Sequence, residues 1–305
     1  MDGGSHPPKS IDIKDIPVYV LNLNERKDRW KRFMSNEAIR MFHNLQRFPA
    51  TNGKKLKYRK EKRISIQTRL RIFRNYRRSH YEMATLGAVG ASISHVRVWE
   101  KFVESGKPLC MVMEDDAIWF PEHIEKVNQF YKELPENWGM WILGYYPKNL
   151  VIERLNSEKP WNKVHNFTAA HSYIITREAA KKLIEEPFPI ETHIEYYMTA
   201  TSILKEFQIV QHPELFVDFY RTYVGPRTND SNTSQHKKAG CPTCDVEDDY
   251  SQIYKHFTRR GDKGMVVSGI VYDKQADKVL TFKRNARTLK GKHHAQKHHT
   301  RKHRK

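Results

Sequence analysis

The stretch LCMVMEDD, residues 109–116, places three acidic residues directly after five apolar ones. The apolar run predicts a strand that is buried on both faces. Three adjacent carboxylates at its end repel one another unless a cation compensates them. In an extended segment alternate side chains point the same way, so Glu114 and Asp116 are expected to share a face, with Asp115 opposite. A solvated acidic turn is the alternative interpretation.

Strands that alternate with helices surround this stretch. Apolar runs predict buried strands at 16–23, 108–113 and 139–146, and apolar residues at helical spacing predict helices at 24–42 and 87–106. The alternation predicts an α/β domain of the Rossmann type, with a mostly parallel sheet flanked by helices. Ligands of such sheets bind beyond the carboxyl ends of the strands, which is where the three carboxylates fall.

The chain divides by composition into four parts. Residues 1–14 are interpreted as a flexible leader, residues 15–234 as the α/β domain with a basic insertion at about 54–80, and residues 235–282 as an extension with a possible hairpin. Residues 283–305 are rich in Lys, Arg and His and contain no acidic residue, which predicts a disordered basic tail.

The net charge of +19 indicates partners that carry negative charge, such as phosphate groups and polyanions. The tail has no aromatic residues to stack on bases, so it would bind polyanions without sequence specificity, or simply be solvated. Cys241 and Cys244 have the spacing of half a zinc site, with His236 and His256 nearby, and a plain loop is the alternative.

The sequence contains no recognisable targeting or membrane-spanning segment. No window approaches 18 consecutive apolar residues, and the first residues, MDGGSHPPKS, lack the apolar stretch of a secretory signal. The three cysteines do not make a disulfide framework. We therefore expect a cytoplasmic protein, located in the host cytoplasm or the virion if it is viral.

The acidic end of the strand is typical of a site for a hard divalent cation. Mg²⁺ and Mn²⁺ prefer oxygen ligands and commonly bind one or two carboxylates together with substrate phosphates. We expect Glu114 and Asp116 to hold Mn²⁺ or Mg²⁺ against a diphosphate, whose negative charge the metal would neutralise as a bond to it breaks.

The sequence around this strand resembles the hallmark segment of glycosyltransferase family 25, which includes bacterial lipooligosaccharide glycosyltransferases and collagen hydroxylysine galactosyltransferases. The segment is LGAVGASISHVRVWEKFVESGKPLCMVMEDDAIWF, residues 86–120. The family pattern is Gly-x-x-Gly, a Ser-His pair on a helix, a Trp four residues on, and a strand that ends in Glu-Asp-Asp. The matching residues are Gly87, Gly90, Ser94, His95, Trp99, Glu114, Asp115 and Asp116. The resemblance covers roughly residues 16–234.

The resemblance implies a GT-A-like fold, a UDP-sugar donor and a divalent metal at the acidic motif. It makes Asp116 the best metal ligand, with Glu114 as its partner, and Asp115 would touch the donor ribose or the metal. Gly87 and Gly90 are expected to permit close packing of the helix against the sheet.

The other donor-binding residues that the resemblance implies are Arg26, Arg29, Asn52, Ser94 and His95. Arg26 and Arg29 follow the first strand, where guanidinium groups can pair with phosphate, although Arg29 could equally be a surface residue. Asn52 stands where the family commonly has Asp. Ser94 and His95 would line the donor pocket, and the alternative for His95 is a histidine that packs the helix against the sheet.

An inverting transfer also needs a general base to deprotonate the acceptor hydroxyl. The segment PIETHIEYY offers Glu191 and Glu195, and Glu191 is favoured because it aligns with an Asp that is frequent in the family. The alternative is a carboxylate that stabilises the start of a helix. Asp218 and His212 are further candidates for the base or a third metal ligand.

Together these features predict a metal-dependent inverting glycosyltransferase that uses UDP-galactose or UDP-glucose. The acceptor would be a sugar of a glycan or a hydroxylysine in a collagen-like chain. The alternative function is that of a catalytically inactive scaffold that binds polyanions through its basic tail.

Overall fold

The computed structural model describes residues 7–75, 81–155 and 160–219, which form strands and helices in alternation. The strands are β1 (Val18–Asn22), β2 (Leu45–Pro49), β3 (Leu109–Glu114), β4 (Ala117–Ile118), β5 (Trp138–Gly144), β6 (Val151–Arg154), β7 (Asn162–Asn166), β8 (Ser172–Thr176), β9 (Gln208–Gln211) and β10 (Asp218–Phe219). The helices are α1 (Lys27–Met34), α2 (Ile66–Arg74), α3 (Leu86–Glu104), α4 (Pro121–Tyr131), α5 (Arg177–Glu185), α6 (Ile194–Met198) and α7 (Thr201–Glu206).

The central sheet has eight strands in the order β2-β1-β3-β8-β5-β9-β7-β6. The pairs β1–β2, β1–β3 and β5–β9 are parallel, and the other four pairs are antiparallel. These pairings make β7 and β8 run opposite to the remaining six strands. The predicted α/β class, with most strands in one direction and helices on both faces, is confirmed, although the sheet is mixed.

The prediction that residues 109–113 form a strand buried on both faces is confirmed. Cys110 and Val112 pack into the same apolar layer as Trp99 of α3. Met111 and Met113 pack into the opposite layer with Phe130 of α4. Alternate side chains thus pack against the helical layers on opposite faces of the sheet, and this removes apolar surface from water on both sides.

The order of the strands creates a topological switch point between β1 and β3. After β1 the chain pairs with β2 on one side, and after α2 and α3 it returns to pair with β3 on the other side. Because the two connections leave in opposite directions, a crevice forms outside the carboxyl ends of β1 and β3. Glu114 ends β3 at this crevice.

Two glycines let α3 lie directly on the turn that follows β2. A Cβ atom on Gly53 would lie 1.6 Å from the carbonyl oxygen of Leu86, and one on Gly90 would lie 2.5 Å from the carbonyl oxygen of Thr51. Gly90 therefore permits the close helix packing that the sequence predicts, but against the turn at Thr51 rather than against a strand.

The packed domain begins before residue 15. Ile13 is fully buried, its N–H donates to Oδ1 of Asn128 over 2.8 Å, and the hydroxyl of Tyr131 donates to the carbonyl of Pro8 over 2.9 Å. In the described residues, no helix combines the length and apolarity needed to cross a membrane. The predicted hairpin, the pair Cys241 and Cys244, and the basic tail lie outside the described residues.

We expect Gly53→Ala to lower the free energy of unfolding by about 1–3 kcal/mol or more, because a methyl group there meets backbone that cannot rotate away. The comparison variant is Gly106→Asn. Gly106 has φ +69° and open space around it, and Asn tolerates that conformation. Urea denaturation of both variants is the measurement. Equal stability of Gly53→Ala and the wild type would contradict the close crossing.

Candidate active site

A cleft occupies the switch point, at the carboxyl ends of β1 and β3 and against the first half of α3. Six of the nine residues predicted to form the site line this cleft. They are Arg29, Ser94, His95, Glu114, Asp115 and Asp116. The remaining wall is mostly apolar or small, and includes Leu21 from β1 and Gly87 from α3. The structure therefore brings together six predicted site residues that are up to 87 positions apart in the sequence.

All three carboxylates line the cleft, whereas the sequence predicts that Asp115 faces away from its neighbours. The reason is that β3 ends at Glu114 and the chain turns immediately afterwards, so the alternation of a strand does not extend through Asp116. β4 then pairs with β10, and this brings the segment around Asp218 beside the acidic motif.

Arg29 is the central cation of the cleft. It is 7% exposed, and its Nη2 lies 2.5 Å from Oδ1 of Asp115 and 2.5 Å from Oδ2 of Asp116. This position agrees with the interpretation of Arg29 as a residue of the site. It does not agree with the alternative, in which Arg29 is a surface residue. A single guanidinium thus compensates the buried carboxylate of Asp115 and the carboxylate of Asp116, whose side chain is 23% exposed. Without it the two carboxylates would repel each other.

Asp115 is held from the other side by Asn22, the last residue of β1. Nδ2 of Asn22 donates to Oδ2 of Asp115, and Oδ1 of Asn22 accepts from Nε of Arg47 over 2.8 Å. Arg47 in turn lies over the ring of Trp30. Sequence reasoning missed Asn22 and Arg47, although a polar residue at the end of an apolar strand is a signal that could have found Asn22.

Burial and the surrounding charges move the pKa values of the three carboxyls in different directions. Burial raises the pKa of Asp115 to about 7, against the lowering effect of Arg29. Burial, with the charge of Glu114, also raises the pKa of Asp116. Burial opposes ionisation of Glu114 as well, but the neighbouring His95, His171 and Arg29 together outweigh it and lower the pKa of Glu114.

Asp116 and His95 each direct an unsatisfied polar atom into this region. Within the described part of the chain, Oδ1 of Asp116 and Nε2 of His95 are buried without a hydrogen-bond partner. Nε2 of His95 lies 3.5 Å from Oε1 of Glu114. Buried polar atoms are nearly always satisfied, so an acceptor and a donor in this state are suited to a ligand.

The donor set agrees with a cation that shares its ligands with a substrate. Among the described residues, no group of three or more His, Cys, Asp or Glu side chains could hold a metal. Mg²⁺ and Mn²⁺ commonly take only one or two protein carboxylates and complete their shell with phosphate oxygens and water. Glu114 and Asp116, with the unsatisfied Oδ1 of Asp116, fit that pattern.

Ser94 joins the helix to the neighbouring turn. Its Oγ accepts from the N–H of Thr51 over 2.8 Å and donates to the carbonyl of Gly90 over 2.6 Å. Asn52, in the same turn, lies outside the cleft lining. Its Oδ1 accepts from the N–H of Lys54, and its Nδ2 donates to Glu25.

Arg26 and Glu191 also lie outside the cleft lining. The guanidinium of Arg26 pairs with Asp28 at 2.8 Å, and the carbonyl of Glu191 accepts from Arg71 over 3.3 Å. Glu195 lies outside the lining as well. Burial raises the pKa of Glu195, and the charge of Glu114 adds to this rise. The roles of Arg26, Asn52 and Glu191 stay predictions.

Comparison with known proteins bears directly on this cleft. The family model described as "Glycosyltransferase family 25 (LPS biosynthesis protein)" matches residues 15–198, which is more than half of the chain. The chain belongs to glycosyltransferase family 25. The resemblance seen in the sequence is thereby confirmed, and the match includes every residue that lines the cleft.

Several curated relatives carry names from this family. A "Glycosyltransferase 25 family member" of Aedes aegypti is 28% identical over 181 residues, which are 57% of this chain and 28% of that protein. "Procollagen galactosyltransferase 1" of Danio rerio is 25% identical, over 58% of this chain and 30% of that protein. "Procollagen galactosyltransferase 2" of Homo sapiens is 24% identical, over 55% and 27%. This chain therefore spans less than a third of the length of these relatives.

We expect Arg29→Met to lower the free energy of unfolding at neutral pH by about 3–5 kcal/mol, because it leaves buried carboxylates uncompensated. Arg29 lowers the pKa values of Asp115 and Asp116, so its removal raises both. The loss should therefore be smaller at pH 5, where the carboxyls can bind protons.

The matched control for this variant is Arg26→Met, which removes an exposed ion pair from the same helix region and should cost far less. Urea denaturation of both variants at pH 5 and pH 7.5 measures the difference. A similar small loss for both arginines would contradict the assigned role of Arg29.

Proposed function

We propose that this family member transfers a hexose, galactose or glucose, from a UDP-sugar to an acceptor hydroxyl, with inversion at the anomeric carbon. The observation that carries the proposal is the acidic motif in the switch-point cleft, where Oδ1 of Asp116 is buried without a partner among the described residues. Ligands of open α/β sheets bind at such a crevice. Family membership supports transfer of a sugar over other reactions of a diphosphate.

In this proposal Glu114 and Asp116 hold Mn²⁺ or Mg²⁺. When bound, the cation supplies positive charge against the donor diphosphate. Arg29 keeps Asp116 in the cleft by binding its Oδ2, while Oδ1 stays available. His95, with His171 and Arg29, helps to keep Glu114 ionised, since together they lower the pKa of Glu114 despite burial. Both carboxylates are thus prepared to bind a cation.

Asp115 has a different part in the proposal. Its two oxygens are occupied by Arg29 and Asn22, and its side chain is 8% exposed. Asp115 therefore fixes the direction of the turn after β3 and the position of Arg29. Contact between Asp115 and the donor ribose, which the family resemblance implies, would require one of these bonds to open.

We propose Glu195 as the general base that accepts the proton of the acceptor hydroxyl. Its Oε1 accepts from the N–H groups of Ala169 and Ala170, which hold the carboxylate in place. Burial raises its pKa, and the charge of Glu114 raises it further. A base works best with a pKa near the working pH. The resemblance favours Glu191 instead, so the two carboxylates are tested side by side.

The acceptor is proposed to be a sugar of a glycan or a hydroxylysine in a collagen-like chain. The first follows the description of the family, and the second follows the names of the relatives from Danio rerio and Homo sapiens. Both present a hydroxyl group that a base can deprotonate. Parallel assays with a hydroxylysine peptide and with a glycan acceptor distinguish them.

Release of UDP from a panel of UDP-sugars with Mn²⁺ tests the proposed activity. We expect Asp116→Asn to lower the rate on the order of 10²-fold or more, because it removes a carboxylate ligand of the cation that would neutralise the diphosphate. Glu178→Gln, in an exposed ion pair with Lys181 on α5, is the control and should keep the wild-type rate. Absence of both UDP release and UDP binding in the wild type would instead favour the inactive scaffold.

The base assignment is tested by comparing Glu195→Gln with Glu191→Gln. Gln at 195 keeps an oxygen that can accept from Ala169 and Ala170, so the fold should be retained. We expect Glu195→Gln to lower the transfer rate roughly 10²–10⁴-fold with little change in UDP affinity. Glu191→Gln should be close to the wild type. The reverse order of effects would assign the base to Glu191.

A further inference from the structure

A buried hydroxyl lies directly behind the cleft, between two residues of α3. The hydroxyl of Tyr173 on β8 is 2.9 Å from Nε1 of Trp99 and 2.9 Å from Nδ1 of His95. Tyr173 and Trp99 are fully buried, and His95 is 1% exposed. The rings of His95 and Tyr173 are stacked, with centroids 5.8 Å apart. The three side chains thus form one chain of contacts from the core to the cleft.

The donor and acceptor groups of the three side chains determine the direction of each hydrogen bond. The indole of Trp99 can only donate, so the oxygen of Tyr173 accepts there. Burial raises the pKa of Tyr173, so the hydroxyl keeps its own proton at neutral pH. Among the described residues, His95 is the other hydrogen-bond partner of this hydroxyl. The proton of Tyr173 must therefore point at Nδ1 of His95, since a buried donor is costly to leave unsatisfied.

This direction determines the tautomer of His95. A neutral imidazole has one donor and one acceptor nitrogen. If Nδ1 accepts from Tyr173, the proton of His95 is on Nε2, which is the nitrogen that faces Glu114 at 3.5 Å. Nε2 is also one of the buried atoms without a hydrogen-bond partner in the described part of the chain.

We propose that Tyr173 is a positioning residue that locks His95 in the Nε2–H tautomer, so that His95 presents a fixed N–H donor to Glu114 and to an anionic ligand in the cleft. This inference rests on the proposed function for its catalytic meaning, but the tautomer itself does not depend on any activity. Trp99 supports this arrangement, because it donates a hydrogen bond to the Tyr173 oxygen. If Nδ1 of His95 also donated to that oxygen, the hydroxyl proton of Tyr173 would lack an acceptor among the described residues.

The alternative arrangement has a defined physical cost. If Nδ1 of His95 carried the proton, the Tyr173 oxygen would accept from both His95 and Trp99, and its hydroxyl proton would lack an acceptor among the described residues. Nε2 would then direct a lone pair at the carboxylate of Glu114, and the two would repel each other. Both penalties disfavour the tautomer with the proton on Nδ1, and burial increases the cost of each.

The tautomer can be measured directly in the whole chain without any ligand. Histidine labelled with ¹⁵N in both ring positions gives different nitrogen signals for the two tautomers, and comparison with His95→Asn assigns the signals of His95. The spectrum is taken at pH 8, above the ordinary histidine pKa of about 6.5. We expect the Nε2–H pattern in the wild type. An Nδ1–H pattern, or a rapidly exchanging mixture, would overturn the proposal.

Tyr173→Phe tests whether the hydroxyl is what holds the tautomer. It removes one oxygen and keeps the ring, so we expect His95 to lose its single tautomer. The matched control is Tyr145→Phe, which removes a buried hydroxyl that accepts from Nε2 of Gln211 over 3.0 Å and leaves His95 untouched. An unchanged His95 pattern in folded Tyr173→Phe would overturn the proposal. If Tyr173→Phe fails to fold, the wild-type tautomer decides alone.

Calorimetric titration with UDP and Mn²⁺ tests the consequence for binding. Replacement of residues that orient a metal ligand typically costs about 10–100-fold in affinity, so we expect Tyr173→Phe to weaken binding roughly tenfold and Tyr145→Phe to have no such effect. Equal affinity of Tyr173→Phe and the wild type would overturn the link from Tyr173 to the cleft. If the wild type binds neither UDP nor Mn²⁺, the proposed function fails, whereas the tautomer result stands.

Discussion

The site depends on the ion pairs between the guanidinium of Arg29 and the carboxylates of Asp115 and Asp116. The sheet can end in three consecutive acids at its switch point only because this buried cation compensates two of them. The desolvation of such groups is costly, and a hydrogen-bonded partner on each side offsets it. Arg29 comes from the helix that follows β1, while the acids follow β3, so the interaction also joins the two strands that define the cleft.

The three carboxylates of the motif have different surroundings. The two carboxylate oxygens of Asp115 are bonded to Arg29 and Asn22, so this residue has a structural role. Asp116 shares Arg29 but keeps one buried oxygen without a partner among the described residues, and Glu114 faces His95. These differences explain why a cation would be held by the first and third acids rather than by all three. They also explain why the direction of the hydrogen bond at His95 matters for the cleft.

The sequence predicted those parts of the structure that are set by local patterns. Residues 109–113 were predicted to form a buried strand because every side chain is apolar, and α3 was predicted from apolar residues at helical spacing. The short hairpin of β6 and β7 was missed, because β6 has four residues that alternate poorly and are mostly exposed. The direction of β8 could not be read from its own residues either.

Contacts between distant residues limited the prediction of the site. Asn22 and Arg47 act on Asp115 through hydrogen bonds that join three strands, and no local pattern records them. The choice between Glu191 and Glu195 likewise depends on where the chain enters α6, which starts at Ile194. Motif resemblance found the residues of the cleft, whereas tertiary packing decided which of their atoms are occupied and which are open to a ligand.

The position of manganese in a crystal soaked with MnCl₂ and UDP tests the central claim most directly. Anomalous diffraction locates the metal independently of any assumption about the ligand. The account predicts a single strong peak within metal–oxygen bonding distance of the carboxylates of Glu114 and Asp116, with the UDP diphosphate as a further ligand. A peak at another position, or UDP bound in the cleft with no metal near these two side chains, would contradict it.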